Sequence, residues 1–134
     1  MAHYLLDTNH ASPLVTLTHP LRSRILAHVA EGDQFFLALP SLTEVLYGIG
    51  TLPRAQANLD LWRNLENVVF LLEYQKSEAE LAARIQIEAR RQGRQIGTVD
   101  ALIAAIALRD SLILLTTDKD FDAVPNLQVD NWLQ

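Results

Sequence analysis

Four short, unbroken apolar runs punctuate this chain: Tyr4-Leu5-Leu6, Phe35-Phe36-Leu37-Ala38-Leu39, Val68-Val69-Phe70-Leu71-Leu72 and Leu112-Ile113-Leu114-Leu115. A strand that is apolar at every position has no face to offer water, so it belongs in a sheet covered on both sides. Between the runs the apolar residues recur at helical spacing. Strands alternating with helices in this way predict an α/β protein, a three-layer α/β/α sandwich around a mostly parallel central sheet.

The intervening segments carry their own start and stop signals. Ser12-Pro13 reads as a cap with proline at the first helical position, after a loop that follows the first strand. Arg22 to Ala30, with Ile25, Leu26 and Val29 on one face, is a helix ending at Gly32. Ser41-Leu42-Thr43-Glu44 has the form of a capping box opening a short helix that Gly48 and Gly50 stop. Pro53 to Glu66 repeats Leu59, Trp62 and Leu65 along a helix, and Val68 to Leu72 follows as a buried strand. Ser77-Glu78-Ala79-Glu80 caps a helix reaching Gln92, Gly97-Thr98-Val99-Asp100 opens one over Ala101 to Arg109, and a short last strand is expected around Leu127 to Val129. Every connection is short, and residues 1–134 are expected to form a single domain.

Composition narrows the chemistry. There is no cysteine, which removes disulfides, thiolate metal sites and cysteine nucleophiles together and suits a reducing cytoplasm. The first residues lack a basic, apolar leader, and the longest apolar stretch, Ala101 to Leu108, falls short of the roughly 20 residues a bilayer requires, so no membrane role is expected. A net charge of −5 argues against holding nucleic acid through a general positive field. It leaves room for a nuclease whose acids are gathered at one site.

In open α/β sheets the residues just beyond the strands' carboxyl ends meet the ligand. Asp7 follows the first strand, Glu44 the second, Asp118 the fourth, and Asp100 lies in the first turn of the helix leading to that fourth strand. Carboxylates converging on one sheet end repel one another unless a cation or a proton intervenes, and an oxygen-only set without His or Cys favours Mg²⁺ or Mn²⁺. Plainer roles exist for three of them. Glu44 can complete the capping box, Asp100 can favour a helix N-terminus through its dipole, and Asp118 can be a turn residue. Asp7 has no capping or turn role that its sequence demands.

Other candidates carry less. His3, His10, His19 and His28 show no metal-ligand spacing and read as surface or interface residues. Gly93 and Gly97 do not form a phosphate-cradling loop and read as helix terminators. Arg84, Arg90, Arg91 and Arg94 crowd the stretch ahead of Asp100, either as a solvated helix face or as a phosphate-contacting patch.

Taken together, Leu5-Leu6-Asp7-Thr8-Asn9, Pro40-Ser41-Leu42-Thr43-Glu44, Gly97-Thr98-Val99-Asp100-Ala101-Leu102-Ile103-Ala104-Ala105 and Leu115-Thr116-Thr117-Asp118-Lys119-Asp120-Phe121 resemble the PIN-domain family in order and spacing, and more narrowly the VapC-type toxin ribonucleases. The resemblance implies a Mg²⁺- or Mn²⁺-dependent endoribonuclease acting on RNA, usually dimeric and paired with a small antitoxin protein that occupies the active site. It places the metal-binding acids at Asp7, Glu44, Asp100 and Asp118, with Asp120 as an alternative in the last loop and Asn9 and Thr116 as polar helpers. Two further expectations concern surfaces: Leu59, Trp62 and Leu65 as the seam of a homodimer, and Val45, Leu46 and Ile49 as a groove for the partner's helix. Against this reading stand an aspartyl-nucleophile phosphatase and a catalytically silent interaction module. In the commonest phosphatase family of that kind a second Asp stands where this chain has Asn9.

Overall fold

The computed structural model describes residues 1–134. Five strands, β1 (His3–Leu6), β2 (Gln34–Ala38), β3 (Val69–Leu72), β4 (Ile113–Leu115) and β5 (Val129–Asp130), form one sheet in the order β3-β2-β1-β4-β5. Every pairing is parallel. Six helices accompany it: α1 (Thr8–Ala11), α2 (Pro20–Ala30), α3 (Leu39–Gly50), α4 (Ala55–Leu65), α5 (Lys76–Arg91) and α6 (Thr98–Asp110).

Successive strand residues point to opposite faces, and each face has its own core. Leu5, Ala38 and Leu114 join α5 and α6 through Ala82, Ile85, Ala104 and Ile106. Leu6, Phe35, Leu37 and Leu115 point the other way, to Ile25 of α2, Val45 and Ile49 of α3, and Trp62 and Leu65 of α4. The all-apolar central strands are thus what two covered faces require. No helix is long and apolar enough to cross a membrane.

Several local expectations are corrected. The first helix starts at Thr8, directly after β1, with Asp7 as its N-cap, and Pro13 lies in the 3₁₀ turn Ser12–Val15 that follows. Strand β2 runs into α3 without a loop, because Pro40 fits a first helical turn where no N–H is needed. That early start moves Ser41 inside the helix, buried and without a hydrogen-bond partner, and no capping box forms with Glu44. The helix also passes through Gly48 and ends at Gly50. The true capping box belongs to α5, where Gln75 and Glu78 make reciprocal bonds.

Strand β3 is an edge strand rather than a buried one, with one neighbour and with Phe70 and Leu71 exposed. On α4 the opposite holds. Trp62 and Leu65 are buried in their own chain's core with Leu59 packed beside them, so the expected dimer seam is interior. Val45 and Ile49 are interior for the same reason, which leaves only Leu46 of that expected groove on the surface.

Candidate active site

The chain runs from β1 outward through β2 to β3, then returns to the other side of β1 as β4 and β5. The carboxyl ends of β1 and β4 therefore flank the point where strand order reverses, the position at which such sheets open a crevice. Asp7 leaves β1 there and Thr116 leaves β4.

These two ends are tied together. The Asp7 backbone N–H donates to the Leu115 carbonyl at 3.0 Å. Its Oδ1 accepts from the Thr8 N–H at 2.9 Å, the capping bond of α1. Its Oδ2 accepts from the Thr116 hydroxyl at 2.7 Å and from the Asn9 amide at 3.2 Å. A carboxylate that is only 7% exposed is thus held in one orientation by neighbours in α1 and just beyond β4. Thr116 also accepts from the Asp118 N–H at 3.0 Å, and Asp118 in turn caps the 3₁₀ turn Lys119–Ala123 through the Asp120 N–H at 2.9 Å. The capping role that the sequence did not demand of Asp7 is real, and it orients the side chain as well as the helix.

Glu44 reaches the site from α3, exposed, its Oε1 accepting from the Thr8 hydroxyl at 3.2 Å. Asp100 comes from the first turn of α6. Its carboxyl is pushed up to about 6, first by burial and then by the charges of Asp7, Asp118, Glu44 and Asp120. The predicted acids therefore share one electrostatic field. None of them takes part in any of the molecule's ion pairs.

Sequence reasoning missed one member of this network. His10 is fully buried, not at the surface. Its Nε2 accepts from the Trp132 N–H at 3.0 Å, which leaves Nδ1 to carry the proton and to donate to Asn9 Oδ1 at 2.6 Å. Burial lowers its pKa to about 4, so the ring is neutral at pH 7. The same Asn9 oxygen accepts from the Thr117 N–H at 3.3 Å. No local motif signals this role, because the partner Trp132 lies 122 positions away.

Chemically, the donors on offer are hard carboxylate oxygens, which suit Mg²⁺ or Mn²⁺. The acids do not form a closed cage of three or more. A dication placed among Asp7, Glu44, Asp100 and Asp118 would relieve the repulsion that raises Asp100, so the residues present fit such an ion.

The PIN-domain family model matches residues 4–127. The chain belongs to the PIN-domain family. Among similar PIN-domain proteins, the tRNA(fMet)-specific endonuclease VapC of Shigella flexneri is 27% identical over 134 residues, covering 98% of this chain and 99% of that protein. Ribonuclease VapC2 of Haemophilus influenzae is 28% identical over 138 residues, covering 99% of this chain and 100% of its own. In structure, this PIN domain is similar to the VapBC2 complex of Rickettsia felis bound to a DNA fragment from its promoter. The TM-score is 0.84 at 22% identity, over 97% of this chain and 98% of the other.

Proposed function

We propose that this protein is a divalent-metal-dependent endoribonuclease and the toxin half of a type II toxin-antitoxin pair. The observation that carries the reading is the half-buried Asp100 carboxyl, pushed up by burial and then by the charges of Asp7, Asp118, Glu44 and Asp120, all of them free of ion-pair partners. Full-length relatives named as VapC ribonucleases support the substrate and the toxin role.

Asp7, Glu44, Asp100 and Asp118 would hold Mg²⁺ or Mn²⁺, with Asp120 beside them. A cation bound there would make its water more acidic and would offset the charge developing on the phosphate. The chain's own contribution is orientation and proton transfer. Thr116 and Asn9 hold Asp7 in place. A carboxylate of the cluster, Asp100 or Glu44, is suited by its place there to accept the proton of the attacking water. This chemistry needs no 2′-hydroxyl, so the preference for RNA rests on the relatives' names.

A small antitoxin is the expected partner, consistent with VapBC complexes among the similar structures. An anionic site suits an inhibitory arginine, whose planar guanidinium offers paired donors to carboxylates.

The test is cleavage of a single-stranded or loop-containing RNA with and without excess EDTA, beside the folded Asp7→Asn variant. Cleavage should require the metal and should be lost in the variant. Full activity in EDTA, or a wild-type rate in Asp7→Asn, would remove the assignment.

A further inference from the structure

Helix α5 ends in a backbone reversal that builds a concave surface from an arginine-rich stretch. Arg94 N–H donates to the Ala89 carbonyl at 2.9 Å and Gly93 N–H to the Arg90 carbonyl at 3.0 Å. This is the paired bonding of a Schellman turn, with Gly93 at φ +74° supplying the left-handed residue it requires. The chain folds back, and Ile96 is buried as the anchor.

The reversal leaves a groove of about 530 Å³ lined by Gln86, Arg90, Gly93, Arg94, Gln95 and Ile96. No acid lines it. Neither Arg90 nor Arg94 enters an ion pair, whereas Arg91, on the same last turn but outside the groove, pairs with Glu88 at 3.4 Å. In a chain of net charge −5, two unpaired guanidiniums on a concave wall free of carboxylates are a local positive pocket.

The groove is coupled to the acid cluster. Gln86 donates to the Ile96 carbonyl at 3.1 Å and to the Thr98 hydroxyl at 3.3 Å. Thr98 is the first residue of α6, and Asp100 stands two positions further along the same turn. Residues two apart on a helix face different sides, so the groove meets α6 at its first turn on a side that Asp100 does not share.

We propose that this groove binds a backbone phosphate of the RNA substrate, away from the cleaved bond, with Arg90 and Arg94 as its contacts. The proposal rests on the ribonuclease reading above and adds to it a site for the flanking strand. Arginine forks match phosphate oxygens in pairs, and the glutamines offer neutral donors to sugar or phosphate. A repulsive acid cluster alone cannot attract a polyanion. A positive pocket elsewhere on the same surface gives the strand a place to land.

The experiment uses the full-length protein and a fluorescein-labelled oligouridylate. Binding is read by anisotropy in EDTA over a range of salt, and cleavage is read separately in Mg²⁺. The double variant Arg90→Ala/Arg94→Ala should bind about ten-fold more weakly at low salt. Its salt slope should flatten by about 0.7 for each lost phosphate contact. Arg91→Ala, which removes a cation from the same helix end but not from the groove, should bind like the wild type, and Arg90→Lys/Arg94→Lys should recover part of the loss. Unchanged affinity and slope in a folded double variant would overturn the proposal. So would equal losses in the double variant and Arg91→Ala, which would assign the arginines to the helix dipole alone. Unchanged oligouridylate binding with lost polyglutamate binding would overturn it in favour of an acidic protein partner. A wild type that binds through these arginines but never cleaves would keep the groove and remove the nuclease reading, whereas arginine-independent cleavage would do the reverse.

Discussion

The Thr116 hydroxyl donates to Asp7 Oδ2 at 2.7 Å, joining residues 109 positions apart at the ends of adjacent strands. Thr116→Val keeps the shape and removes the donor, leaving Asp7 Oδ2 with Asn9 alone. With Asp7 in its proposed metal-binding role, losing this orienting bond should lower activity by about 10- to 100-fold. Thr116→Ser should restore most of it. Cleavage rates of both variants at equal thermal stability check this, and an unimpaired valine variant would show that Asp7 needs no such hold.

Half-buried Asp100 and fully buried His10 give stability opposite pH dependences. Asp100 has its folded pKa raised from 3.8 to about 6, so its favourable contribution is complete below the unfolded pKa and lost as pH rises towards 6. His10 has its folded pKa lowered from 6.5 to about 4, so its contribution is complete above 6.5 and lost as pH falls towards 4. Between pH 4 and 6 the two oppose each other. Relative to the wild type, Asp100→Asn should therefore lose stability on acidification through that window, and His10→Gln should gain it, each by about 1–2 kcal/mol after solvent screening. Urea unfolding of the metal-free proteins across pH 4–7 measures both, and parallel curves for all three would discard the assignment.

Trp62 is completely buried in the core between α4 and the sheet. Trp62→Ala should cost about 3–5 kcal/mol of folding stability and leave the oligomeric state of whatever remains folded unchanged. Chemical denaturation and light scattering separate the two effects. A stable variant whose only defect is dissociation would return Trp62 to an interface.

Inhibition by the proposed antitoxin should weaken as Mg²⁺ rises, because the proposed arginine and a cation would compete for the same carboxylates. Replacing the partner's inserted arginine with alanine should restore cleavage with only partial loss of binding. Affinity indifferent to Mg²⁺ would place the inhibitor elsewhere.

The legible part of this site was its acids. Asp7, Asp100 and Asp118 stand at the starts of helical segments, where a carboxylate near an apolar run is visible without coordinates, whereas Glu44 lies in the middle of α3. Less visible was what each local signal would yield to. Ser41 and Glu44 have a capping-box spacing, yet Pro40 accepts the first helical turn and displaces it. Leu59, Trp62 and Leu65 make a stripe that periodicity alone cannot assign to the inside or to a partner.

The apolar runs and their helical spacers determined the α/β class and the parallel sheet, because burial on two faces is written in consecutive residues. Strand order was not written there. Only tertiary structure placed β4 beside β1 and brought Thr116 to Asp7, left β3 at the edge, and set the backbone of Trp132 against His10. These contacts join residues more than 100 positions apart, where the chain carries no periodic signal and packing against both sheet faces decides which ends meet.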